Sequence, residues 1–488
     1  MELNPGYLAI FIAYLVIVVI IGIWGFRRES YSAYAVADHK LGLPLSVGSF
    51  FATYISSATV IGFVGYTTLN GAAIFPTYFW GFALGWITLT LVGARLRRLR
   101  LRSVPALFEA RYGGKALRIL SAVVIIVAFA FSVMTQLVAG SLVLEVVVGI
   151  PQVTGLLLLG IVLTIYTVLG GLVSVVRTDF LQGGLILLAV VAAAVIVVSQ
   201  LGGDILTLRP EQTGLHAGSI ASNVDIFAFI LIAWGGVAAQ PYYLHRFFAT
   251  KDTATARQMI GVGAVFATVA YLAVLLVGLG LPKLLSSEQL GDSAVLHFGM
   301  SEGGLLGSLL LIGLICAVQS TVDSALHLAG VYTTEDIVGQ LRPGMNDRTR
   351  LRTARTVTTV LGVICLAGAV YFVVSGGEFI VTLLNIWLGT LSSALLIPMY
   401  ATLFWRRATR TGAIASSAGG FVGYFVTLSL VEFGGVALPG HPIFYGFGIS
   451  LALLLIGTLL TKPEMSSAVR RQFFGASDDN DNDMVMRS

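Results

Sequence analysis

Charged residues are scarce in this 488-residue chain, where Asp, Glu, Lys and Arg together make up only 11%. Soluble domains carry roughly 25% of such residues, so the composition excludes an ordinary soluble domain. Cysteine is also rare, and the only two, Cys316 and Cys365, both fall in apolar stretches. A disulfide framework or a cysteine-based metal cluster is not expected from such a pattern. The chain must therefore be built from hydrophobic segments.

Hydrophobic residues make up 57% of the chain, and apolar runs near the ~20 residues that cross a bilayer recur from end to end. They predict an all-α polytopic membrane protein with about 13 transmembrane helices. The predicted helices cover residues 6–25, 45–66, 73–94, 117–147, 153–170, 179–200, 225–248, 259–282, 305–337, 355–375, 378–404, 411–431 and 443–461. The first run has no basic segment before it and no small-residue cleavage site after it, which indicates a retained helix rather than a signal peptide.

Basic residues are concentrated in alternate loops, for example Arg246, Lys251 and Arg257 after the seventh helix, whereas the other loops hold only Arg209 and Lys283. Positively charged loops face the cytoplasm. The N-terminus is therefore predicted outside and the C-terminus in the cytoplasm, with the helices in the cell inner (plasma) membrane. Because the net charge of +5 lies in short loops, we expect a lipid bilayer around the chain and no nucleic-acid partner.

Two of the predicted helices carry interruptions. The second has a polar middle that follows Gly48, and the seventh contains Gly235, Gly236 and Pro241. A helix broken at membrane depth exposes backbone carbonyls, which is tolerated only where they line a cavity or hold an ion. The two helices lie five apart, which predicts inverted repeats of helices 2–6 and 7–11. Ordinary close packing through glycine is the alternative.

The repeat hypothesis divides the chain into five parts. They are an extra helix and cytoplasmic loop at 1–44, a first repeat at 45–200, a second repeat at 201–404, two further helices at 405–461 and a cytoplasmic tail at 462–488. The tail ends in SDDNDNDMVMRS, which is too short and polar to fold. A sensor would need an output domain, and an enzyme would need a nucleophile and base at membrane depth, where His327 is the only histidine clearly placed in a helix. Neither class is favoured.

The ninth helix carries small and hydroxyl side chains on one face. Ala317, Ser320, Thr321 and Ser324 follow the spacing i, i+3, i+4 and i+7. Together with free carbonyls of a broken second helix, they would form an all-oxygen site of the kind that Na⁺ requires. The alternative is that these hydroxyls bond the carbonyls of their own helix. Asp323 lies beside them, and an intramembrane carboxylate indicates function because it is costly.

Several longer stretches resemble the sodium/solute symporters, a family that includes the bacterial proline and galactose symporters and the sodium/glucose cotransporters. They are ADHKLG at 37–42, SVPALFEARYG at 103–113, YTVLGGLVSVVRTDFLQ at 166–182, AQPYYLHRFFATK at 239–251, AVQST at 317–321 and TTED at 333–336. The resemblance implies a leucine-transporter-like core of ten helices, here 2 to 11, in two five-helix inverted repeats. It also implies Na⁺ as the coupling ion, a small organic solute as the other partner, and no organic cofactor.

The resemblance implies ion sites by position. One Na⁺ would be held by the carbonyls of Ala52, Ile55 and Ala317 and the hydroxyls of Ser320 and Thr321. A further cation would be held by Asp179, Ser320, Asp323 and Ser324. Asp323 departs from the family pattern, which has a hydroxyl residue there, and a second carboxylate would bind a cation more strongly or share a proton with Asp179. Capping of helix 6 is the alternative role for Asp179.

Candidate substrate contacts are polar residues that would face a central cavity. They are Ser56, Ser57, Thr59, Gln136, Trp234, Gln240 and Asn385, with Tyr243 as an inner gate. The alternatives are interface anchoring for Trp and Tyr and helix bridging for the amides. We expect a sodium-coupled symporter of a small carboxylate or amino-acid-like solute. A proton-coupled symporter of the same fold, or a transporter-like sensor without an output domain, is the alternative.

Overall fold

The computed structural model describes residues 4–25, 30–71, 74–206, 223–376, 380–432, 434–463 and 465–474. Eleven helices in these ranges are long and apolar enough to cross a membrane, and the bent pair Leu43–Tyr54 and Ala58–Asn70 is a twelfth candidate. The first helix, Pro5–Gly25, is also apolar, but its described apolar part, Pro5–Ile21, is shorter than these. Within the described residues, the one isolated β-bridge joins Leu41 and Thr250. The predicted all-α polytopic fold is confirmed.

We number the apolar helices as spans 1 to 13 in chain order. Their helical segments are Pro5–Gly25; Leu43–Tyr54 with Ala58–Gly62 and Phe63–Asn70; Ile74–Leu99; Ala116–Val143 with Leu144–Val148; Gln152–Leu169; Leu172–Leu201; Asn223–Ala238 with Pro241–Ala249; Thr253–Leu284; Gly304–Tyr332 with Thr333–Val338; Asp347–Val374; Ile380–Leu391 with Ser392–Leu396 and Ile397–Phe404; Arg410–Glu432; and Pro442–Leu460. Short helices outside the spans include Tyr31–Val36, Ala37–His39, Pro105–Tyr112, Ala294–Glu302 and Ser467–Phe474.

Both predicted interruptions are present. The first half of span 2 ends at Ile55, which has an extended backbone (φ −89°, ψ 93°), and the chain then bends by 46°. In span 7 the break lies at Gln240, also extended, and Pro241 is the first residue of the second half. Proline has no N–H for a preceding carbonyl, which makes it suited to starting a helix and unsuited to continuing one. Both breaks therefore leave backbone groups free inside the bundle.

The glycines of span 7 serve close packing rather than the break itself. A Cβ on Gly235 would lie 2.0 Å from the Ser392 hydroxyl, so only glycine permits the contact with span 11. Gly48 has the same role between spans 2 and 6, where a Cβ would lie 2.6 Å from the Phe180 ring. These glycines thus allow close helix packing, as the alternative expects. The helix interruptions are present as well.

The degree of burial separates central from peripheral spans. In the most apolar part of each span, 78% of residues are buried in spans 9 and 11, against 22% in spans 10 and 13. Span 2 packs against spans 6, 8 and 9. The two broken spans and span 9 therefore lie in the middle of the bundle, and spans 10 and 13 turn most of their surface to the outside.

The loop before span 2 ties the two broken spans together. Ala37, Asp38 and His39 all have left-handed backbone conformations (φ 47°, 52° and 57°), which cost non-glycine residues roughly 1–2 kcal/mol each. The turn is held because His39 Nδ1–H donates to the Phe248 carbonyl at 2.7 Å. Burial lowers the pKa of His39, which keeps its ring neutral near pH 7. The ADHKLG and AQPYYLHRFFATK stretches therefore meet in space.

Candidate functional site

The break in span 2 faces the hydroxyl-bearing side of span 9. The last carbonyls of a helix have no partner within it, and the Ala52 carbonyl accepts a hydrogen bond from Ser320 Oγ at 2.9 Å. The Ala317 carbonyl lies 3.4 Å from that hydroxyl and 3.2 Å from Thr321 Oγ1. Oxygens that surround a hard cation at about 2.4 Å are roughly 3.4 Å apart in an octahedral shell. These four atoms have the spacing of neighbouring ligands.

The remaining predicted oxygen is the carbonyl of Ile55, the residue at which the first half of span 2 ends. Ile55, Ala52, Ala317, Ser320 and Thr321 are all fully or almost fully buried. Both hydroxyls also contact the carbonyl of Ala317 in their own helix. Each hydroxyl therefore has one contact within its own helix, as the alternative expects. Ser320 has a second hydrogen bond, to span 2.

An arginine occupies the centre of the neighbouring polar cluster. Arg246, in the second half of span 7, donates from Nη2 to Asp179 Oδ2 at 3.0 Å and to the hydroxyls of Thr53 and Ser324, both at 2.8 Å. Its Nε donates to Ser49 Oγ at 2.8 Å, and Ser49 in turn donates to Asp179 Oδ2 at 2.5 Å. The guanidinium thus joins spans 2, 6, 7 and 9.

The interpretation of Arg246 as a cytoplasmic loop residue is wrong. Its side chain is only 1% exposed, and the helix that begins at Pro241 continues to Ala249. The capping role considered for Asp179 is wrong as well, because span 6 begins at Leu172 and Asp179 lies buried inside it. Span 6 begins earlier than the hydrophobic pattern indicated, and the ion pair between Asp179 and Arg246 neutralises the two charges inside the bundle.

Asp323 has a different partner. Its Oδ1 lies 2.7 Å from the hydroxyl of Thr167 on span 5, and that hydroxyl also lies 2.8 Å from the Leu163 carbonyl. Asp323 is fully buried, and its Oδ2 has no hydrogen-bond partner in the described part of the chain. The structure therefore pairs Asp179 with Arg246 and Asp323 with Thr167. Within the described residues, no hydrogen bond joins the two carboxylates directly.

Three of the substrate candidates meet at the break of span 2. Ser56, Ser57 and Thr59 are buried there. The Ser57 hydroxyl donates to Gln136 Oε1 at 2.5 Å, and the Ser57 amide donates to the same oxygen at 3.3 Å. The Nε2 of Gln136 has no partner among the described residues. A buried amide of this kind costs free energy unless something accepts its hydrogens.

Gln240 is a second buried amide without a complete set of hydrogen bonds. It is fully buried at the break of span 7, and neither its Oε1 nor its Nε2 has a partner in the described ranges. Tyr242, two residues later, shares a hydrogen bond of 2.8 Å with Ser132, which is one turn before Gln136 on span 4. One incompletely bonded amide thus lies at the break of span 7, and the other is bonded to Ser57 at the break of span 2.

Trp234 and Asn385 form hydrogen bonds with other helices. Trp234 Nε1 donates to Thr88 on span 3 at 2.9 Å, in the contact between spans 3 and 7. Asn385 on span 11 accepts from the Tyr78 hydroxyl at 2.5 Å through its side chain. In the described part of the chain, neither side chain has a hydrogen bond to Gln136 or to the serines of span 2. The hydrogen bond between Asn385 and Tyr78 joins spans 11 and 3, as the helix-bridging alternative expects.

Tyr243 packs into a group of aromatic rings over the first half of span 2. Its ring centroid lies 5.1 Å from that of Phe50 and 5.4 Å from that of Tyr54. Trp86 contacts both of these rings at 5.0 and 4.9 Å. Movement of this half-helix would have to separate Tyr243 from Phe50 and Tyr54.

A buried carboxyl group marks the Asn70 end of span 2. Asp292 Oδ2 accepts from the Ile380 amide at 3.0 Å, and a Cβ on Gly65 would lie 2.6 Å from the Asp292 Cα. Burial raises the pKa of Asp292 from its usual 3.8 to about 6, partly offset by the Ile380 amide. The contribution of Asp292 to the stability of the folded state is therefore most favourable below pH 3.8, where the carboxyl is protonated in both the folded and the unfolded chain. This contribution is lost as the pH rises through about 6.

A second polar cluster lies at the Leu43 end of the bundle. Asp336 Oδ1 accepts from Arg118 Nε at 2.6 Å and from Ser103 Oγ at 2.7 Å, and Arg118 also pairs with Glu109. The SVPALFEARYG and TTED stretches thus meet here and hold the short helix Pro105–Tyr112 against spans 4 and 9. Within the described residues, no group of three or more His, Cys, Asp or Glu side chains has the arrangement of a metal site.

The residues that sequence reasoning missed are Arg246, Ser49, Thr53 and Thr167 as partners of the carboxylates. Thr167 and Arg246 lie within stretches that carried the family resemblance, which is the signal that would have found them. For Ser49 and Thr53 the signal was their position one turn apart on the same half of span 2.

The fold and this site define a class of membrane transport protein, in which interrupted helices bring backbone and hydroxyl oxygens together at the centre of a bundle. The description of the sodium:solute symporter family matches residues 34–420 of the chain. The chain belongs to the sodium:solute symporter family.

Similar proteins agree with this assignment. The chain is 27% identical over 470 residues to the sodium/pantothenate symporter of Escherichia coli (strain K12), covering 91% of this chain and 95% of that protein. It is 25% identical over 487 residues to the sodium/proline symporter of Staphylococcus aureus (strain JH9), covering 92% and 91%.

Solved structures show the same fold. A Na⁺-coupled sialic acid symporter in a substrate-bound outward-open state has a TM-score of 0.79 at 19% identity, covering 95% of this chain and 99% of that one. Mhp1, a nucleobase-cation-symport-1 family transporter, has a TM-score of 0.55 at 15% identity, covering 92% and 100%. These likenesses establish the leucine-transporter-like fold predicted from the sequence.

Proposed function

We propose that this chain is a symporter that couples inward movement of Na⁺ to uptake of a small organic solute by alternating access. The observation that carries the proposal is the contact of the Ala52 carbonyl at the break of span 2 with Ser320 Oγ on span 9. Na⁺ would bind there to the carbonyls of Ala52, Ile55 and Ala317 and the hydroxyls of Ser320 and Thr321. One charge moving inward through 100 mV supplies about 2.3 kcal/mol for solute accumulation.

The same proposal gives the chain an orientation and a repeat structure. Spans 2–6 and 7–11 would be the two inverted repeats, which exchange access to the site by moving against each other. The N-terminus would lie outside and the C-terminus in the cytoplasm, because basic loops remain on the cytoplasmic side. Labelling of a single terminal tag from each side of intact cells tests this orientation, and labelling of the C-terminal tag from outside contradicts it.

The solute would bind between the two breaks. The unpartnered amide atoms of Gln136 and Gln240 can donate to and accept from a polar solute, and the second halves of spans 2 and 7 both begin there. Helix N-termini favour negative charge. Arg246 is already neutralised by Asp179. These features favour a small carboxylate or amino-acid-like solute.

A thermal-shift screen of the purified chain with small carboxylates and amino acids tests the proposal. A bound ligand raises the melting temperature of the folded state. We expect a solute that stabilises the protein in Na⁺ buffer and does so much less in choline buffer. The same solute should be taken up by proteoliposomes only with an inward Na⁺ gradient. A solute that binds and is taken up equally in choline would contradict sodium coupling.

Gln240 and Tyr243 are expected to have separable roles. Gln240→Ala removes a buried hydrogen-bonding group, so the solute Kd should rise about tenfold, measured by titration of the thermal shift. Tyr243→Ala loosens the aromatic contacts with Phe50 and Tyr54 and should leave the Kd nearly unchanged while altering the exchange rate in proteoliposomes. Equal losses of binding in both variants, or none in either, would leave packing as the only role of the pair.

We propose that Asp323 responds to protons as well as to Na⁺. The Thr167 hydroxyl has one hydrogen and two acceptors within 2.8 Å, Asp323 Oδ1 and the Leu163 carbonyl. With Asp323 ionised, Thr167 donates to it. With Asp323 protonated, Thr167 can turn to Leu163 and accept from the acid. Thr167 can therefore form a hydrogen bond with either the ionised or the protonated form of Asp323. Asp179 differs, because its negative charge is paired with Arg246.

The test is Na⁺-dependent uptake at several pH values in wild type and Asp323→Ser. If protons and Na⁺ compete, the Na⁺ concentration for half-maximal uptake should rise as pH falls in wild type and stay flat in the serine variant. Thr167→Val removes the donor to the ionised form, so its profile should shift to higher pH. Identical pH dependence in wild type and Asp323→Ser would rule out this role and leave a structural carboxyl group.

A further inference from the structure

A cavity of about 350 Å³ lies where the ends of spans 3 and 11 meet the short helix Ser467–Phe474. Three arginines line it, Arg95, Arg98 and Arg471, and among the described residues no Asp or Glu does. None of the three forms an ion pair within the described residues. Three positive charges converging on one cavity favour an anion as its occupant.

The short helix is held in place without any occupant. Phe473 is buried, and the ring of Phe474 lies 5.5 Å from the guanidinium of Arg111 and 5.7 Å from that of Arg406. Arg471 points into the cavity from a helix that its aromatic residues already anchor. Arg95 donates to the Leu403 carbonyl at 3.3 Å, which holds its guanidinium at the cavity wall.

An apolar stripe on the outer surface of span 3 leads to the cavity. Ile87 and Leu91, which are 59% and 62% exposed, lie two turns and one turn before Arg95 on the same helix face, and Arg98 follows one turn later. The stripe is thus apolar where it faces the hydrocarbon and basic where it reaches the cavity. This order matches an amphiphile that lies along the span with its headgroup at the membrane surface.

We propose that this cavity binds the phosphodiester headgroup of an anionic phospholipid, with an acyl chain along Ile87 and Leu91. The phosphate would accept from Arg95, Arg98 and Arg471, and so would connect the C-terminal helix to spans 3 and 11. The residues that follow Phe474 include four aspartates, which are a competing anion, but between Phe474 and Met484 the only apolar side chain is the small one of Ala476, which does not match the stripe. The lipid site is independent of the proposed transport site.

The test compares two double variants that each remove two exposed arginines. In the first, the two arginines lie on facing helices, and in the second they lie one turn apart on one helix. Arg98→Gln/Arg471→Gln alters the cavity, and Arg348→Gln/Arg352→Gln alters span 10. Each protein, as the full chain in detergent, is titrated with dioleoylphosphatidylglycerol or dioleoylphosphatidylcholine while its melting temperature is followed. We expect the phosphatidylglycerol concentration for half the stabilisation to rise about thirty-fold in the cavity variant only. Phosphatidylcholine should have little effect on any of the proteins.

Three outcomes would overturn the proposal. Equal phosphatidylglycerol responses in the two double variants would indicate only non-specific attraction. Saturation by glycerol 3-phosphate at the same concentration as the lipid would indicate a site for soluble phosphates. Lipid binding that occurs only after removal of residues 475–488 would make the acidic tail the natural occupant.

Discussion

Arg246→Gln is expected to reduce stability by roughly 3–5 kcal/mol and to abolish measurable transport, because it leaves Asp179 as an unpaired charge in the bundle. Arg246 Nη2 alone contacts Asp179, Thr53 and Ser324. Each 1.4 kcal/mol is a factor of ten in an equilibrium constant, so the loss would shift the population strongly to unfolded or misassembled states. The measurement is the melting temperature of the purified variant, with uptake in proteoliposomes beside it.

The double variant Asp179→Asn/Arg246→Gln separates charge from packing. It removes both members of the pair, so no buried charge is left unpaired, and most of the stability should return. Arg348→Gln, at an exposed position on span 10, is the control and should melt like wild type. If Arg246→Gln alone melted like wild type, the ion pair would contribute little and the contacts to Ser49 and Thr53 would be incidental.

Ser320→Ala/Thr321→Ala is expected to raise the Na⁺ concentration for half-maximal uptake by an order of magnitude or more. The substitutions remove two of the five proposed oxygens and leave the carbonyls of Ala52, Ile55 and Ala317. They also remove the hydrogen bond from Ser320 to Ala52 that connects span 9 to span 2. Uptake as a function of Na⁺ at fixed pH measures the change.

Ser308→Ala is the matched control for that variant. Its hydroxyl is also on span 9 and donates to the carbonyl of Gly304 in its own helix at 2.8 Å, away from span 2. It should leave the sodium dependence unchanged. Unchanged sodium dependence in the Ser320/Thr321 double variant as well would contradict the assignment of these two hydroxyls as Na⁺ ligands.

Part of the proposed ion site could be predicted from the local sequence pattern. Ser320 and Thr321 share a helix face in any α-helix, and a polar, glycine-flanked middle indicated that span 2 would break near Ala52. Once both helices are central, the two features meet, and the contact of 2.9 Å between Ser320 Oγ and the Ala52 carbonyl follows. Local pattern does not determine which partner a side chain takes where several positions are open to it. Trp234 fits a cavity by pattern, yet its indole N–H bonds Thr88 on span 3.

Hydrophobic length and charge spacing are local properties, and they alone determined the membrane class, the thirteen apolar helices and the interruptions of spans 2 and 7. The pairing of buried polar groups is not local. The partners of Arg246 are 67, 78, 193 and 197 residues away, and the local hydrophobicity and charge around Arg246 do not distinguish a buried arginine from one in a loop. Only the tertiary structure decided that Asp179 is paired with Arg246 and Asp323 with Thr167. The physical reason is that a charge in low dielectric must be matched by whichever group the packing brings within about 3 Å.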